Sequence, residues 1–461
     1  MDNHYDLIVI GAGPGGYVSA IRAAQYGLKV ALVESRDAGG TCLNRGCIPT
    51  KTLMHASNLY EEINHCEGLG IQVAGASYDI KKIYSRKQQV VEQLRSGVEY
   101  LVKANKVDFL RGKAVINAAT SVSVGDEAYE TKNILIATGS VPARPPIPGL
   151  ELPGVITSDE LLEQEGTAYK SLTIIGGGVI GVEFATVFHA LGCKVTVIEA
   201  LDRLLPTMDK EISRNLATIL KKGGVASHTG SMVERIEQSE NGLTCVFTAK
   251  GKTQQVESEA VLVSIGRKAY TDGLFADGVS VEFNRGIVVD EQYQTSLPGV
   301  YAIGDVISGG IQLAHVASAQ GCNAVAHICG KPAQIDMNVV PSCIYTNPEI
   351  ASVGLSEAQA KEQGIAVKCG KYSMSGNGKS IIEGQSRGFI KLVFDTSTNV
   401  ILGAQLMCAR ATDLISELST AIVNKLTSEQ LAAVIRPHPT FTEGVTEAVE
   451  SALGTAIHIA P

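Results

Sequence analysis

The stretch DLIVIGAGPGG, Asp6 to Gly16, is an apolar run that opens into a glycine-rich turn. A helical pattern follows through Ile21 and Ala24. A second apolar run, Lys29 to Val33, ends at Glu34. This order predicts strand, tight turn, helix and strand, the unit that holds a dinucleotide. The unit recurs: Leu172 to Ile175 opens into Gly176-Gly177-Gly178-Val179-Ile180-Gly181, and Lys194 to Ile198 ends at Glu199. The differences 176 − 11, 181 − 16 and 199 − 34 are all 165. One Gly-x-Gly-x-x-Gly is a weak signal. Two at a constant offset, each with a strand-end Glu 18 residues past the last glycine, are a strong one.

The residue types have physical reasons. The first glycine (Gly11, Gly176) makes the turn, and the second (Gly13, Gly178) lets a pyrophosphate approach the backbone. The third (Gly16, Gly181) lets helix and strand pack closely. The helix N-terminus then presents N–H groups and partial positive charge to phosphate. Glu34 and Glu199 are expected to accept hydrogen bonds from ribose hydroxyls. A carboxylate at 199 also repels a 2′-phosphate, which favours NAD over NADP, although Arg203 stands nearby. A third motif, TSLPGVYAIGD from Thr295 to Asp305, predicts a turn, a short strand and a strand-end acceptor, Asp305.

Composition bounds the rest. A chain of 461 residues exceeds one ordinary core and predicts two to four domains. A formal charge of −8 argues against nucleic acid or an anionic membrane as the main partner. The most apolar long stretch, Ile174 to Leu191, is interrupted by glycines and Glu183, and reads as strand, turn and helix instead of a membrane span. The residues before Asp6 show no targeting pattern, so a cytoplasmic protein is expected.

Ten cysteines are too few and too scattered for a disulfide scaffold. Cys66, Cys193, Cys245, Cys322, Cys329, Cys343, Cys369 and Cys408 are expected to be small buried hydrophobes. Cys42 and Cys47, in GGTCLNRGCIPTK, are different. Two cysteines five apart in a regular helix cannot form a disulfide, but Gly46 and Pro49 supply the means to distort one. So small a loop adds little stability, which leaves a chemical role. A nearby helix start would favour the thiolate. The spacing does not fit a zinc pair, and no metal site is expected.

GGTCLNRGCIPTK between GAGPGG and GGGVIG resembles the pyridine nucleotide–disulfide oxidoreductases. The resemblance runs nearly the whole chain, through ATGS (137–140), YAIGD (301–305), LAH (313–315), YTNPE (345–349) and HPTFTE (438–443). It is strongest toward members that oxidise protein-bound dihydrolipoyl groups with NAD⁺. The resemblance implies an α/β fold with two Rossmann-like domains, for FAD and NAD, and a C-terminal α+β dimerisation domain. The expected boundaries are 1–143 for the first FAD part, 144–264 for the NAD domain, 265–337 for a central and second FAD part, and 338–461 for the dimer-interface domain.

The resemblance also implies roles. Cys42 exchanges with substrate, and Cys47 faces the flavin as a charge-transfer thiolate. Lys51 lies near flavin N5 with Glu183 as its partner. His438 is the base, oriented by Glu443, and serves the disulfide of the other subunit in a homodimer. FAD contacts are expected at Gly11, Gly13, Gly16, Glu34, Gly40, Thr41, Lys51, Thr138, Gly139 and Asp305. NAD contacts are expected at Gly176, Gly178, Gly181, Glu199 and Gly266. The lipoyl group would arrive on a separate domain or carrier protein. Independently of the resemblance, an imidazole titrates near neutrality and can take a thiol proton, and a carboxylate can fix its tautomer.

Three features depart from the commonest family forms. Arg45 replaces a frequent Val and would add charge beside the disulfide, Gln320 replaces a frequent Glu, and Phe441-Thr442 replaces Leu-Ser. All bear on the substrate pocket in this reading. The nearest rival is another flavin disulfide reductase of the glutathione reductase kind, which places arginines where Glu199 stands. A rival of another class, a non-catalytic FAD- and NADH-binding sensor or scaffold, would have no use for the set Cys42, Cys47, His438 and Glu443.

Overall fold

The structure is a computed structural model and describes residues 3–460. The N-terminal unit is built on strands β1 (His4–Ile10), β2 (Val30–Glu34), β3 (Asp108–Arg111), β4 (Ala114–Ala118), β5 (Ser121–Val124) and β6 (Glu127–Ile136). They lie in the order β3-β2-β1-β6-β5-β4, with β1, β2, β3 and β6 parallel and β4-β5-β6 an antiparallel meander. The distant strand Val300–Ala302 adds in parallel to β6, so the chain returns to this sheet after a long excursion. Leu7, Val9, Leu32 and Leu135 are fully buried on one face, and Ile8, Ala31 and Ile134 on the other. A sheet buried on both faces needs continuous apolar strands, which is what these segments supply.

The excursion is a second nucleotide-binding unit. Its parallel sheet runs Ala226–His228, Lys194–Ile198, Ser171–Ile175, Ala260–Val263, Val155–Thr157, beside a three-stranded antiparallel sheet over 231–258. The chain enters and leaves through two crossing segments, Ser140–Pro142 and Arg267–Ala269, which pair antiparallel. The last unit is an antiparallel sheet of Ser342–Ile344, Ile350–Gly354, Ile401–Met407, Phe389–Asp395 and Val367–Ser373. Its core packs against helices Ala411–Val423 and Glu443–Leu453. Among the described residues, no helix is long and apolar enough to cross a membrane.

The first six α-helices are α1 (Pro14–Gln25), α2 (Gly40–Arg45), α3 (Cys47–Asn64), α4 (Ile80–Ala104), α5 (Ser158–Glu163) and α6 (Val179–Ala190). The internal repeat extends to hydrogen bonds. Glu34 accepts from Ala12 N–H and Arg36 N–H, both at 2.8 Å. Glu199 accepts from Gly177 N–H at 2.5 Å and Leu201 N–H at 2.7 Å. The partners keep the offset, since 177 − 12 and 201 − 36 are both 165. Each carboxylate thus holds its own glycine turn.

The third glycine of each motif sits where a side chain cannot fit. A Cβ on Gly16 would lie 1.7 Å from Gly11 O, and one on Gly181 would lie 1.9 Å from Gly176 O. Gly16→Ala should therefore destabilise the chain by about 2 kcal/mol or more, as overpacking against rigid backbone does. Urea unfolding of the purified variant checks this; an unchanged midpoint contradicts it.

Candidate active site

The two redox-candidate cysteines lie at a break between helices. Cys42 is the third residue of α2, and Cys47 is the first of α3. Between them Gly46 adopts φ −143°, ψ −113°, outside the helical region. A Cβ there would lie 2.9 Å from Thr41 O and 3.1 Å from the Cys42 Cα, so the absence of a side chain lets the two segments close on each other. Pro49 plays a different part from the one expected. It sits at the third position of α3, inside the first turn, where a missing N–H costs little. The break belongs to Gly46 alone.

Both cysteines are thiols in this structure, Cys42 half-buried and Cys47 exposed. They do not titrate alike. Cys42 is pushed far up, first by its hydrogen bond to the Cys47 sulfur and then by burial. Cys47 is drawn down to about 7, first by that hydrogen bond; desolvation by the groups packed around the exposed sulfur opposes the shift, and the Lys51 ammonium adds to it. The Cys47 thiolate is the favoured anion of the pair.

Lys51 lies one turn further along α3. Its Nζ donates to both oxygens of Glu183, at 2.9 and 2.8 Å. Glu183 belongs to α6 and its side chain is only 4% exposed. It also accepts from the backbone N–H of Tyr345 at 3.1 Å, and the Tyr345 ring lies 4.6 Å from the Lys51 Nζ. One buried carboxylate therefore ties together α3, α6 and the C-terminal unit. Tyr345 belongs to a motif marked in the sequence, but its contact with Lys51 was not foreseen there.

His438 and Glu443 form a second pair. His438 Nδ1 lies 2.8 Å from Glu443 Oε1, and Thr440 N–H donates to Glu443 Oε2 at 2.9 Å. Burial pushes the Glu443 carboxyl up, but the Thr440 N–H and His438 outweigh it and hold it below the usual range. The His438 side chain is 78% exposed. Its described partner is Glu443, and no described hydrogen bond or ion pair joins it to Cys42 or Cys47 of its own chain.

The nucleotide-contact candidates fall on facing turns. Gly40 has φ +57°, and a Cβ on it would lie 2.6 Å from the Gly13 Cα. Gly39 N–H donates to Ala12 O at 2.8 Å, which docks the redox turn on the first glycine turn. Thr138 Oγ1 donates to Tyr270 O at 2.6 Å, and Tyr270 N–H donates to Gly139 O. Gly266 accepts from Ala143 N–H beside the same crossing. Asp305 Oδ2 accepts from Ser140 Oγ at 2.6 Å. Neither α1 nor α6 has a capping side chain at its first turn. Nothing lies within 4 Å of a Cβ built on Gly178. Uncapped helix N-termini behind glycine turns with open space fit a pyrophosphate at both places. The Nη atoms of Arg203, near Glu199 in the sequence, are engaged by Asp202 and by Pro206 O.

The residues that depart from the commonest family forms have defined contacts, and Thr442 Oγ1 lies 2.6 Å from Thr440 Oγ1. Arg45 is 7% exposed and turns toward α5, 3.8 Å from both Asp159 and Glu163. Gln320 is buried and accepts from Gly304 N–H, bracing the turn that carries Asp305. Phe441 is buried in the core of the C-terminal unit. The other cysteines also need correction. Cys193, Cys245 and Cys408 are buried, but Cys66, Cys322, Cys329, Cys343 and Cys369 are only partly so. Among the described residues, no cluster could hold a metal ion.

Comparison with known proteins decides the family. The family described as pyridine nucleotide-disulphide oxidoreductase matches residues 5–321, and its dimerisation domain matches residues 340–449. The chain belongs to this family. It is 42% identical to a dihydrolipoyl dehydrogenase of Bacillus subtilis, over 99% of this chain and 100% of that one. It is 41% identical to the dihydrolipoyl dehydrogenase of Geobacillus stearothermophilus, over 98% and 97%. Among solved structures, the HOCl-induced flavoprotein disulfide reductase RclA of Escherichia coli matches with TM-score 0.86 and 30% identity, over 97% of this chain and 99% of that one.

The geometry predicts two outcomes. Cys47 should ionise near pH 7, below the ordinary thiol range, being protonated below that pH and a thiolate above it. The long-wavelength thiolate–flavin absorbance of the two-electron-reduced holoenzyme, followed against pH, measures this; a midpoint above about 9 contradicts it. Lys51→Met strands the buried Glu183 carboxylate and should cost about 3 kcal/mol of stability. Lys51→Met combined with Glu183→Gln should recover part of that loss in urea unfolding.

Proposed function

We propose that this chain is a dihydrolipoyl dehydrogenase, oxidising protein-bound dihydrolipoyl groups with NAD⁺. The observation that carries the reading is the Cys42–Cys47 pair at a helix break, with Lys51 and its buried Glu183 behind it. Full-length similarity to dihydrolipoyl dehydrogenases supports it over a glutathione reductase. So does Glu199, a strand-end carboxylate that would repel a 2′-phosphate, with the Nη atoms of Arg203, nearby in the sequence, engaged by Asp202 and Pro206 O. The substrate would be carried by a lipoyl domain of a 2-oxo acid dehydrogenase or by a glycine-cleavage carrier, supplied in trans. We place the protein in the cytoplasm.

We assign FAD to the first glycine turn, with Gly11, Gly13, Gly16, Glu34, Gly40, Thr41, Lys51, Thr138, Gly139 and Asp305 as its surroundings. NAD belongs to the second, with Gly176, Gly178, Gly181, Glu199 and Gly266. When bound, FAD supplies a two-electron acceptor for the dithiol and NAD⁺ a hydride acceptor for the flavin. Domain limits at 143/144, 264/265 and 337/338 agree with this assignment, supported by the crossing strands at 140–142 and 267–269 and the return strand at 300–302.

The chain's own residues carry the thiol exchange. In the disulfide form, a dihydrolipoyl thiol gives its proton to His438 of the partner subunit and attacks Cys42 Sγ. The Cys42–Cys47 bond breaks and Cys47 leaves as a thiolate. Its leaving is eased by the Lys51 ammonium, which lowers the proton affinity of that sulfur. The second substrate thiol displaces Cys42, forming the lipoyl disulfide and leaving both enzyme cysteines reduced. Glu443 holds the imidazole through Nδ1, which leaves Nε2 to take the proton.

His438→Ala should keep flavin binding and lower dihydrolipoamide:NAD⁺ turnover by about 10²- to 10⁴-fold. Mixing it with Cys42→Ser subunits should restore part of the activity, because each hybrid dimer contains one complete site. Near-normal turnover by His438→Ala removes His438 from the mechanism, and failure to complement contradicts the trans arrangement.

A further inference from the structure

Tyr345 lies just past strand Ser342–Ile344 of the C-terminal unit, in the YTNPE segment. Two of its groups meet the redox centre. Its backbone N–H donates to Glu183 Oε1 at 3.1 Å, the same oxygen that accepts from Lys51 Nζ at 2.9 Å. Its ring stands 4.6 Å from that ammonium. The segment is fixed from behind, because Ile344 is fully buried in one core with Leu53 and Met54 of α3 and Val182 and Phe184 of α6. Tyr345 therefore cannot drift from the ion pair without opening that core.

We propose that Tyr345 is a positioning residue for the redox pair, its backbone N–H fixing the Glu183 carboxylate and its ring face holding the Lys51 ammonium where it favours the Cys47 thiolate. The inference rests on the proposed roles of Lys51 and Cys47. A lysine side chain 30% exposed has other places to go, and Glu183 alone restrains it only through its two carboxylate oxygens. A ring quadrupole adds an attraction that is stronger where water is partly excluded. The ring stays neutral while it does so: burial pushes the Tyr345 phenol up to about 12, helped by nearby Cys343, Glu349, Glu183 and Cys47. The ionisable groups facing this position are those four, together with Lys51.

The test follows Cys47 ionisation in the two-electron-reduced holoenzyme, read as long-wavelength thiolate–flavin absorbance against pH. Tyr345→Leu removes the ring face and should raise the midpoint by about half to one pH unit, a three- to tenfold gain in proton affinity. Tyr345→Phe keeps the face and should leave the titration where the parent protein has it. Lys51→Met should shift the midpoint at least as far as Tyr345→Leu. If Lys51→Met shifts it and Tyr345→Leu does not, Tyr345 has no positioning role. If Lys51→Met leaves it unmoved, the underlying reading of Lys51 fails instead. Should Tyr345→Leu not retain flavin, Tyr345→Met keeps bulk without a ring and is read in the same way.

Discussion

Glu183 carries a charge almost wholly removed from water, and an uncompensated charge there would cost several kcal/mol. Its compensation comes from outside its own unit. Lys51 reaches it from the helix that starts at Cys47, and the Tyr345 N–H reaches it from the C-terminal sheet. The three units of the chain thus share one electrostatic requirement, met only when they are docked. Docking in turn fixes the ammonium, one turn along α3 from Cys47, where its charge favours the Cys47 thiolate. A buried pair of this kind is weak evidence of stability for its own sake. Its value here is the registry it imposes on a reactive thiol.

The glycine turns supply the complementary constraint, that of close approach. Gly40 of the redox segment comes so close to Gly13 of the first turn that a Cβ on Gly40 would lie 2.6 Å from the Gly13 Cα. Gly46 lets Cys42 and Cys47 approach by the same means. Rigid strands ending in glutamates hold each turn, and the offset of 165 between Glu34 and Glu199 holds even for the N–H groups they accept. The reactive sulfurs are therefore carried on a turn that is itself docked on a nucleotide turn, through Gly39 N–H and Ala12 O.

Much of this was legible in the sequence because it is local. The strand–turn–helix units, the strand-end glutamates and the spacing of Cys42 and Cys47 all lie within short windows. What was misread depends on which way a side chain turns. Arg45 looked like a charge beside the sulfurs, but its long side chain is buried toward α5, 3.8 Å from Asp159 and from Glu163. Gln320 braces the turn at Gly304, and Phe441 lies in the core of the C-terminal unit, contacts that neither local motif announces. Arg203, near Glu199 in the sequence, turns back on its own loop and donates to Pro206 O. The meeting of Tyr345 with Lys51 joins residues 294 positions apart, and no periodicity or local motif announces such a contact.

The most direct measurement is an anaerobic titration of the purified yellow protein with dihydrolipoamide, followed by absorbance, with NAD⁺ or NADP⁺ then added. A long-wavelength thiolate–flavin band is expected on reduction, then rapid NADH formation with NAD⁺ and no NADPH formation with NADP⁺. A flavin that dihydrolipoamide leaves oxidised, but that NADPH bleaches and glutathione disulfide restores, would contradict both the dithiol assignment and the reading of Glu199.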